Sequence, residues 1–377
     1  MKIAILSPWT ISNEAVGGTE RFVMDLAEIL RKLGNKVDVY MLSGENYEKN
    51  GINYINLRIS DDDEAMDEEK LKKLFGDFSK EESYIEIAKR LEKKIDIKQY
   101  DIIQLNSQIF LKAFKEKKRI FTIHTNPEEF IMSFGEKSFK TMIEIMKKEK
   151  VNIHYVTPSQ YYASEYSKLS GNKINFIPHA IDMARLNKNI NIDNIYNKYN
   201  IDKEYKNILL PSRLEPVQKQ HMLFLKSFAN VNENIRRNFQ VICTGKDKQY
   251  EKYAQNIEKF CQSKKIKLEV TRFDYIYEAY SIADIVVLPS KSESFGYSAL
   301  ESLSLGIPTI LNSIPTYLEI TKGSKNSFIF NNTEQSLKQL LGQLLQTNLE
   351  KLEQTKLWNE RYSIEEFGEK YIHLMKE

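Results

Sequence analysis

The chain has 377 residues, more than one ordinary hydrophobic core organises, so two domains are expected. Hydrophobic residues make up 41% and charged residues 28%, with 14 Gly and 9 Pro, which excludes fibrous and disordered classes. Fifty-five basic against 52 acidic side chains leave a formal charge of +3, too little for a nucleic-acid footprint.

Lys2 to Leu6 reads as a first parallel strand. Its apolar run is too short for a signal peptide, and no run approaches the roughly 18 to 20 residues of a membrane span, so a cytoplasmic location is expected. A loop from Ser7 through Gly18 leads into a helix with Phe22, Leu26, Ile29, Leu30 and Leu33 on one face and Gly34 at its end. This βα unit lacks the G-x-G-x-x-G turn of dinucleotide-binding folds, which argues against a nicotinamide enzyme. Gly17 and Gly18 still leave bare backbone N–H groups at a helix start, where a phosphate could sit.

Lys36 to Met41 and Asn53 to Leu57 are further strand candidates, followed by a charged segment from Ser60 to Glu82. Asp61-Asp62-Asp63 has the D-x-D spacing that can hold a divalent cation. The run continues into Glu64, Asp67, Glu68 and Glu69, so a solvated acidic loop is the better reading. Strands recur at Asp101 to Leu105, Arg119 to His124, Asn152 to Thr157 and Ile174 to Ile177, separated by helical patterns; Pro127 suits a first helical turn and Ser159 an N-cap. Strand alternating with helix predicts a parallel sheet covered on both faces. His124 ends its strand, at the carboxyl edge where ligands of open α/β sheets collect. The other histidines, His154, His179, His221 and His373, form no metal-ligand spacing with one another or with cysteine. Residues 112 to 150 are rich in lysine, with Phe110, Phe114, Met142 and Met146 interleaved; a solvated helix face is favoured over a peripheral contact with anionic lipid.

Near Ile177-Pro178-His179-Ala180-Ile181-Asp182 the strand pattern stops and an Asn-rich stretch follows, which marks a domain junction. Asn207 to Pro211 opens the second domain, and Arg213 and Lys219 lie in the loop beyond it. Phe239 to Thr244 and Lys267 to Val270 are its next strands, with Phe273 just past the second. Cys243 lies in an apolar strand run and Cys261 in a helical one, so both read as buried free thiols in a reducing compartment. The stretch Ala283 to Ile310 then compresses a buried strand (Ile285 to Pro289), a polar loop ending in Glu293-Ser294-Phe295-Gly296, and a helix from Tyr297 that carries Glu301 and stops at Gly306 and Pro308. Glycine at that helix start lets a ligand approach free N–H groups. Further strand and helix patterns follow, ending in a helix from Ile364 to Met375.

Glu293-Ser-Phe-Gly-Tyr-Ser-Ala-Leu-Glu301 resembles the E-x7-E signature of the retaining GT-B glycosyltransferases of family four. The segment Ser212-Arg213-Leu214-Glu215-Pro216 with Lys219 is similar to that family's G-R-L-x-P-x-K-G, although Lys219 stands six residues after Arg213, one more than usual. The junction resembles I-P-N-G-(I/V)-D with His179-Ala180 in place of Asn-Gly, and Gly17-Gly18 resembles the glycine-rich first loop. The resemblance implies an α/β GT-B fold, two Rossmann-like β/α/β domains facing across a cleft. Residues 1–180 would form the acceptor-side domain, 181–360 the donor domain, and 361–377 a helix crossing back to the first.

It also implies metal-independent, retaining transfer of a sugar from a nucleotide diphosphate sugar, with a UDP-sugar favoured and no tightly bound cofactor. The acceptor hydroxyl could belong to a glycan, glycolipid, protein or small molecule. By the same resemblance Glu293 orients donor-sugar hydroxyls, Glu301 holds the ribose, Arg213 and Lys219 hold the diphosphate, and Phe295, Gly296 and Tyr297 present N–H groups. The loop bearing Phe273 receives the base and Gly17 and Gly18 line the donor, while His124 joins the catalytic residues by its place at the carboxyl edge of its strand. The alternative is a non-catalytic GT-B subunit that binds nucleotide or stabilises a partner glycosyltransferase.

Overall fold

The computed structural model describes residues 1–9, 17–58, 73, 76–186, 190–245 and 247–377. The acidic run from Asp61 to Glu69 lies outside them. The chain forms two compact units, one made of Met1–Ala180 with Tyr362–Glu377, the other of Ile181–Arg361. The connection through His179 and Ala180 is made without a positive φ at either residue, so the replacement of Asn-Gly is accommodated in ordinary backbone.

The first unit is built on eight strands: β1 (Lys2–Ser7), β2 (Lys36–Met41), β3 (Tyr47–Lys49), β4 (Ile52–Asn56), β5 (Ile102–Leu105), β6 (Lys118–Thr122), β7 (Ile153–Thr157) and β8 (Ile174–Phe176). Their order is β3-β4-β2-β1-β5-β6-β7-β8, all parallel except the β3/β4 pair. The order reverses between β1 and β5. Ile3, Ala4 and Ile5 are each fully buried, as a strand covered on both faces requires. The short antiparallel β3 was not foreseen. Asn50 and Gly51, both at positive φ, make the tight turn into β4, and an Asn-Gly pair between strand residues is a strong hairpin signal.

Helix Gly18–Lys32 buries Phe22, Val23, Leu26, Ala27, Ile29 and Leu30. The last helix, Ile364–Lys376, joins the same core through Phe367, Tyr371, Leu374 and Met375. Tyr371 Oη and Thr122 Oγ1 are 2.9 Å apart in the buried interior, and Lys118 Nζ donates to the Met375 carbonyl at 3.3 Å.

Phe110, Phe114, Met142 and Met146 are 0 to 1% exposed, so they cannot serve as the apolar partners of a lysine-rich surface. Several of the cations among them are also engaged. Lys112 bridges Glu81 (2.5 Å) and Glu149 (3.2 Å), Lys115 and the fully buried Arg119 also reach Glu149, and Lys148 reaches Glu81. Hydrogen bonds from Lys112 and Lys148 hold the Glu81 carboxyl down to a pKa of about 2. The geometry fits a surface neutralised in ion pairs.

The second unit has six strands, all parallel: β9 (Lys206–Arg213), β10 (Phe239–Gly245), β11 (Leu268–Val270), β12 (Ile285–Leu288), β13 (Thr309–Asn312) and β14 (Ser327–Phe330), in the order β11-β10-β9-β12-β13-β14. Here the order reverses between β9 and β12. All four residues of β12 are buried, which is why its sequence does not alternate. Cys243 and Cys261 are buried free thiols, and desolvation raises the pKa of both.

Gly368 is where the last helix approaches Gly18–Lys32, because a Cβ there would lie 2.5 Å from Ile29 Cγ1. Gly368→Val should therefore lower stability by about 2 kcal/mol, read as a drop in the urea midpoint with an unchanged slope.

Candidate functional site

Strands β9 and β12 are neighbours that carry their chains onward in opposite directions across the sheet, so their carboxyl ends open a crevice. β9 ends in Arg213, which is exposed. Gly245 at the end of β10 lets the backbones close here, since a Cβ at that position would lie 2.3 Å from the Ser212 carbonyl and 2.5 Å from Arg213 Cα.

The loop after β9 is folded by Glu215. Its carboxylate accepts from the backbone N–H groups of Val217, at 3.1 Å, and Gln218, and its carbonyl accepts from Lys219 N at 3.3 Å. Gln218 then joins this loop to the one after β12. Its side chain donates to the Ser292 carbonyl at 3.1 Å, and its own carbonyl accepts from Lys291 N at 2.7 Å. The result is an ion pair of Lys219 Nζ with Glu293 Oε1 at 2.6 Å, its two side chains only 12% and 15% exposed. Gln220, at φ 49°, leads from this turn into helix His221–Ala229.

Glu293 has a second support. Helix Pro315–Thr321, which starts on Pro at its first position, turns two side chains onto it. Thr316 Oγ1 donates to the Glu293 carbonyl (3.1 Å) and Tyr317 Oη to Oε1 (3.3 Å). The Tyr317 ring also fills the space beside Gly296. A Cβ there would stand 2.7 Å from Tyr317 Cε1, and the φ of +103° favours glycine independently.

Helix Tyr297–Ser304 therefore begins on a residue with no side chain, and no side chain caps it, which leaves its positive end open to an anion. Ser298 Oγ ties this helix start to the Pro211 carbonyl at 2.9 Å. Glu301 is 3% exposed and its Oε2 accepts from Tyr280 Oη at 2.7 Å. Glu293 precedes the helix and Glu301 sits within it, so the two are not on one helical face. Phe295 is buried edge-on to Tyr297 at 5.5 Å, and Phe273 is buried against the Tyr199 ring at 4.3 Å. His221, fully buried, meets Ser212 Oγ through Nε2 at 3.1 Å, and burial depresses its pKa to about 3.

In the first unit, Gly17 precedes the helix that starts at Gly18, again with no side-chain cap. A side chain at Gly17 would run into the Glu20 carboxyl, so a carboxylate already sits at this helix start. His124 stands two residues beyond β6, half-buried, with Nε2 3.2 Å from Asn106 Oδ1. Asn106 is oriented by its own donation to the Leu6 carbonyl (3.0 Å) and by accepting from Gln104 Nε2 (3.1 Å). His124 Nε2 must then be the donor, which makes Nδ1 the lone-pair nitrogen. Burial holds its pKa at about 3, so the ring is neutral.

The structure thus gathers Arg213, Lys219, Glu293, Phe295, Gly296, Tyr297 and Glu301 around one strand-order reversal of the second unit. Gly17, Gly18 and His124 lie at carboxyl ends in the first unit. Gln218, Tyr280, Thr316 and Tyr317 were not anticipated. Only Pro315, a helix-start signal, hinted at the last two. Among the described residues no cluster of His, Cys, Asp and Glu could hold a metal ion, and no helix is long and apolar enough to cross a membrane.

Two measurements test this arrangement. Lys219→Met should cost about 1 to 3 kcal/mol because it strands a partly buried carboxylate. The Lys219→Met/Glu293→Gln double variant should lose less than the sum of the single changes, by about 1 kcal/mol or more in a urea double-mutant cycle. For His221, the folded pKa lies below the ordinary 6.5. The unfolded chain thus binds a proton that the native ring refuses, so stability is complete above about pH 6.5 and falls as the pH drops toward 3. By pH 5 this residue alone should account for a loss of about 2 kcal/mol. His221→Gln should show a correspondingly smaller loss between pH 7.5 and 5 in denaturant titrations.

The sequence and the fold have relatives among known proteins. The sequence matches Glycosyltransferase Family 4 over residues 16–185 and the glycosyl transferases group 1 family over residues 191–361. It is 24% identical over 352 residues to the uncharacterized glycosyltransferase MJ1607 of Methanocaldococcus jannaschii, covering 86% of this chain and 84% of that one. A stretch of 68 residues is 35% identical to the O-antigen biosynthesis glycosyltransferase WclY of Escherichia coli; it spans 17% of this chain and only 19% of that relative. Sucrose-phosphate synthase from Thermosynechococcus elongatus is similar in structure with a TM-score of 0.77 at 17% identity, over 100% of this chain and 98% of that one. Anabaena HepE, solved in complex with UDP and glucose, gives 0.71 at 13% identity, over 100% and 99%.

Proposed function

This chain belongs to the group 1 and family 4 glycosyltransferases and has their GT-B fold of two parallel-sheet, Rossmann-like domains, and from that premise we propose that it moves a sugar from a nucleotide diphosphate sugar to an acceptor hydroxyl with retention at the anomeric carbon. The observation that carries this reading is the meeting of Arg213, Lys219, Glu293 and the uncapped helix at Gly296 beside one strand-order reversal. A diphosphate brings about two negative charges, and two cations with bare N–H groups can offset them as charge develops on the leaving group. On this account the reaction needs no metal.

Each residue then takes a role. Arg213 and Lys219 hold the diphosphate, and the N–H groups from Phe295 to Tyr297 add their dipoles. Glu293, braced by Thr316 and Tyr317, orients donor-sugar hydroxyls. Lys219 is ion-paired with Glu293. An arriving diphosphate competes for that ammonium and releases the carboxylate to the sugar. Glu301, oriented by Tyr280, holds the ribose. The loop bearing Phe273 receives the base through its backbone, since the ring itself is committed to Tyr199. The UDP seen in HepE supports a UDP-sugar, and the O-antigen role of WclY supports a glycan acceptor. Residues 1–180 would serve the acceptor and 181–360 the donor. With no protein nucleophile singled out, attack comes from the face the leaving group departs, with the departing phosphate as base.

Nucleotide release from a panel of nucleotide sugars, with water as the only acceptor, tests the reading. A UDP-sugar should be turned over by the purified chain with no partner added and at an undiminished rate in a chelator. Glu293→Ala should cut the rate by about a hundredfold or more. Full activity in Glu293→Ala would remove the site assignment, and activity that appears only with a second glycosyltransferase would favour a stabilising subunit.

A further inference from the structure

Glu293 presents its two carboxylate oxygens unequally. Oε1 takes both partners of the side chain, the Lys219 ammonium at 2.6 Å and the Tyr317 hydroxyl at 3.3 Å. Oε2 has no hydrogen-bond partner among the described residues, yet it is not one of the unpaired polar atoms sealed in the interior. The side chain as a whole keeps 15% of its surface open. One oxygen is held by the protein, and the other is left to a ligand.

The two holds on Oε1 differ in permanence. Lys219 is a point charge on a flexible stem, and a diphosphate placed beside it competes for the same ammonium. Tyr317 cannot follow a ligand in this way. It is 1% exposed, its ring stands where a Cβ at Gly296 would come within 2.7 Å of Cε1, and its phenol has a single proton, donated to Oε1. The main chain is fixed as well. The Glu293 carbonyl accepts from Thr316 Oγ1 at 3.1 Å, and the neighbouring Ser292 carbonyl from Gln218 Nε2 at 3.1 Å. A carboxylate held at its backbone and at one oxygen does not turn to offer both.

This asymmetry bears on how a sugar is recognised. Two neighbouring ring hydroxyls can grip a free carboxylate together, one on each oxygen, in the bidentate manner that also suits a guanidinium. With Oε1 occupied, that grip is closed, and a ring reaches Glu293 through Oε2 alone. A hydrogen bond to a charged acceptor is worth more than a neutral one, so removing the hydroxyl that makes it is costly, while its neighbour contributes nothing here.

We propose that Tyr317 is a positioning residue for donor selection: by keeping Oε1 of Glu293 occupied, it makes the protein choose its donor sugar by one hydroxyl, received at Oε2. The inference rests on the glycosyltransferase reading and adds to it which carboxylate oxygen selects and which residue enforces the choice.

Calorimetric titration of the full chain with UDP-glucose, UDP-galactose, UDP-N-acetylglucosamine and GDP-mannose identifies the donor bound tightest. Its deoxy forms at each ring hydroxyl, and the free nucleotide diphosphate, are then titrated into the parent, Glu293→Gln and Tyr317→Phe, with melting curves confirming that each variant folds. In the parent, deleting one hydroxyl should weaken binding by about tenfold or more, and that penalty alone should collapse in Glu293→Gln. Tyr317→Phe keeps the ring beside Gly296 and removes only the hydroxyl. It should leave the free nucleotide within about twofold of the parent, cut the sugar's share of the affinity about three- to tenfold, and make the adjacent hydroxyl matter too, because Oε1 is then open. Glu293-dependent penalties at two neighbouring positions in the parent overturn the proposal, and this comparison does not depend on the tyrosine variant folding. So does an unchanged pattern in Tyr317→Phe, or an equal loss for free nucleotide and nucleotide sugar, which a purely structural role would give. Nucleotide release on the same proteins separates the two readings. Binding with the expected pattern but no release sinks the transferase reaction alone, release with a parent-like Tyr317→Phe sinks this inference alone, and failure to bind any nucleotide sugar overturns both.

Discussion

The ion pair of Lys219 with Glu293 joins two loops whose residues lie 74 apart in sequence. It exists because β9 and β12 are adjacent while the strands that follow each lead away on opposite sides, so their loops diverge and leave polar atoms uncovered between them. Burial of the strands themselves supplies the stability. An ion pair at 12 and 15% exposure adds little net energy after desolvation, but it fixes which atoms face the crevice. Gln218 and the Thr316–Tyr317 pair act in the same sense, each replacing a solvated polar group with one directed contact. Removing any one leaves the core intact and loosens the aim of a carboxylate.

The same topological rule produces a different chemistry in the first unit. Gln104, Asn106, Thr122, Tyr371 and His124 form a chain of neutral hydrogen-bonding groups behind the β1/β5 reversal. In a low-dielectric interior such a chain is held by the pairing of its members, although Gln104 Oε1 has no hydrogen-bond partner among the described residues. Its effect on His124 is specific: the orientation of Asn106 settles which nitrogen carries the proton.

Much of this was legible in the sequence. The parallel strands announced themselves as unbroken apolar runs, and β12 with its loop and helix was readable to within a residue or two, because Gly296, Gly306 and Pro308 punctuate it. β3 was missed although Asn50-Gly51 marks its turn, since three residues carry too little periodicity to register. The basic character of residues 112–150 suggested a surface, but sequence could not show that Glu81 comes from another helix to neutralise Lys112 and Lys148. Tyr317 was unreadable for a related reason. Its contact with Glu293 spans 24 residues and depends on how a helix is set against a loop, which no local pattern encodes.

The displaced lysine shows how spacing and geometry part company. Counting residues from Arg213 puts Gln218, not Lys219, in the usual slot of the motif. The fold does not count residues. Glu215 closes its turn on two backbone N–H groups, which shortens the path, and Gln220 takes a left-handed conformation that a residue with a Cβ adopts at a cost of about 1 kcal/mol. Gln218 offsets that cost with two bonds to the facing loop, and Lys219 is set 2.6 Å from a carboxylate. The strain of this loop falls on Gln220, at φ 49°, where glycine would carry none.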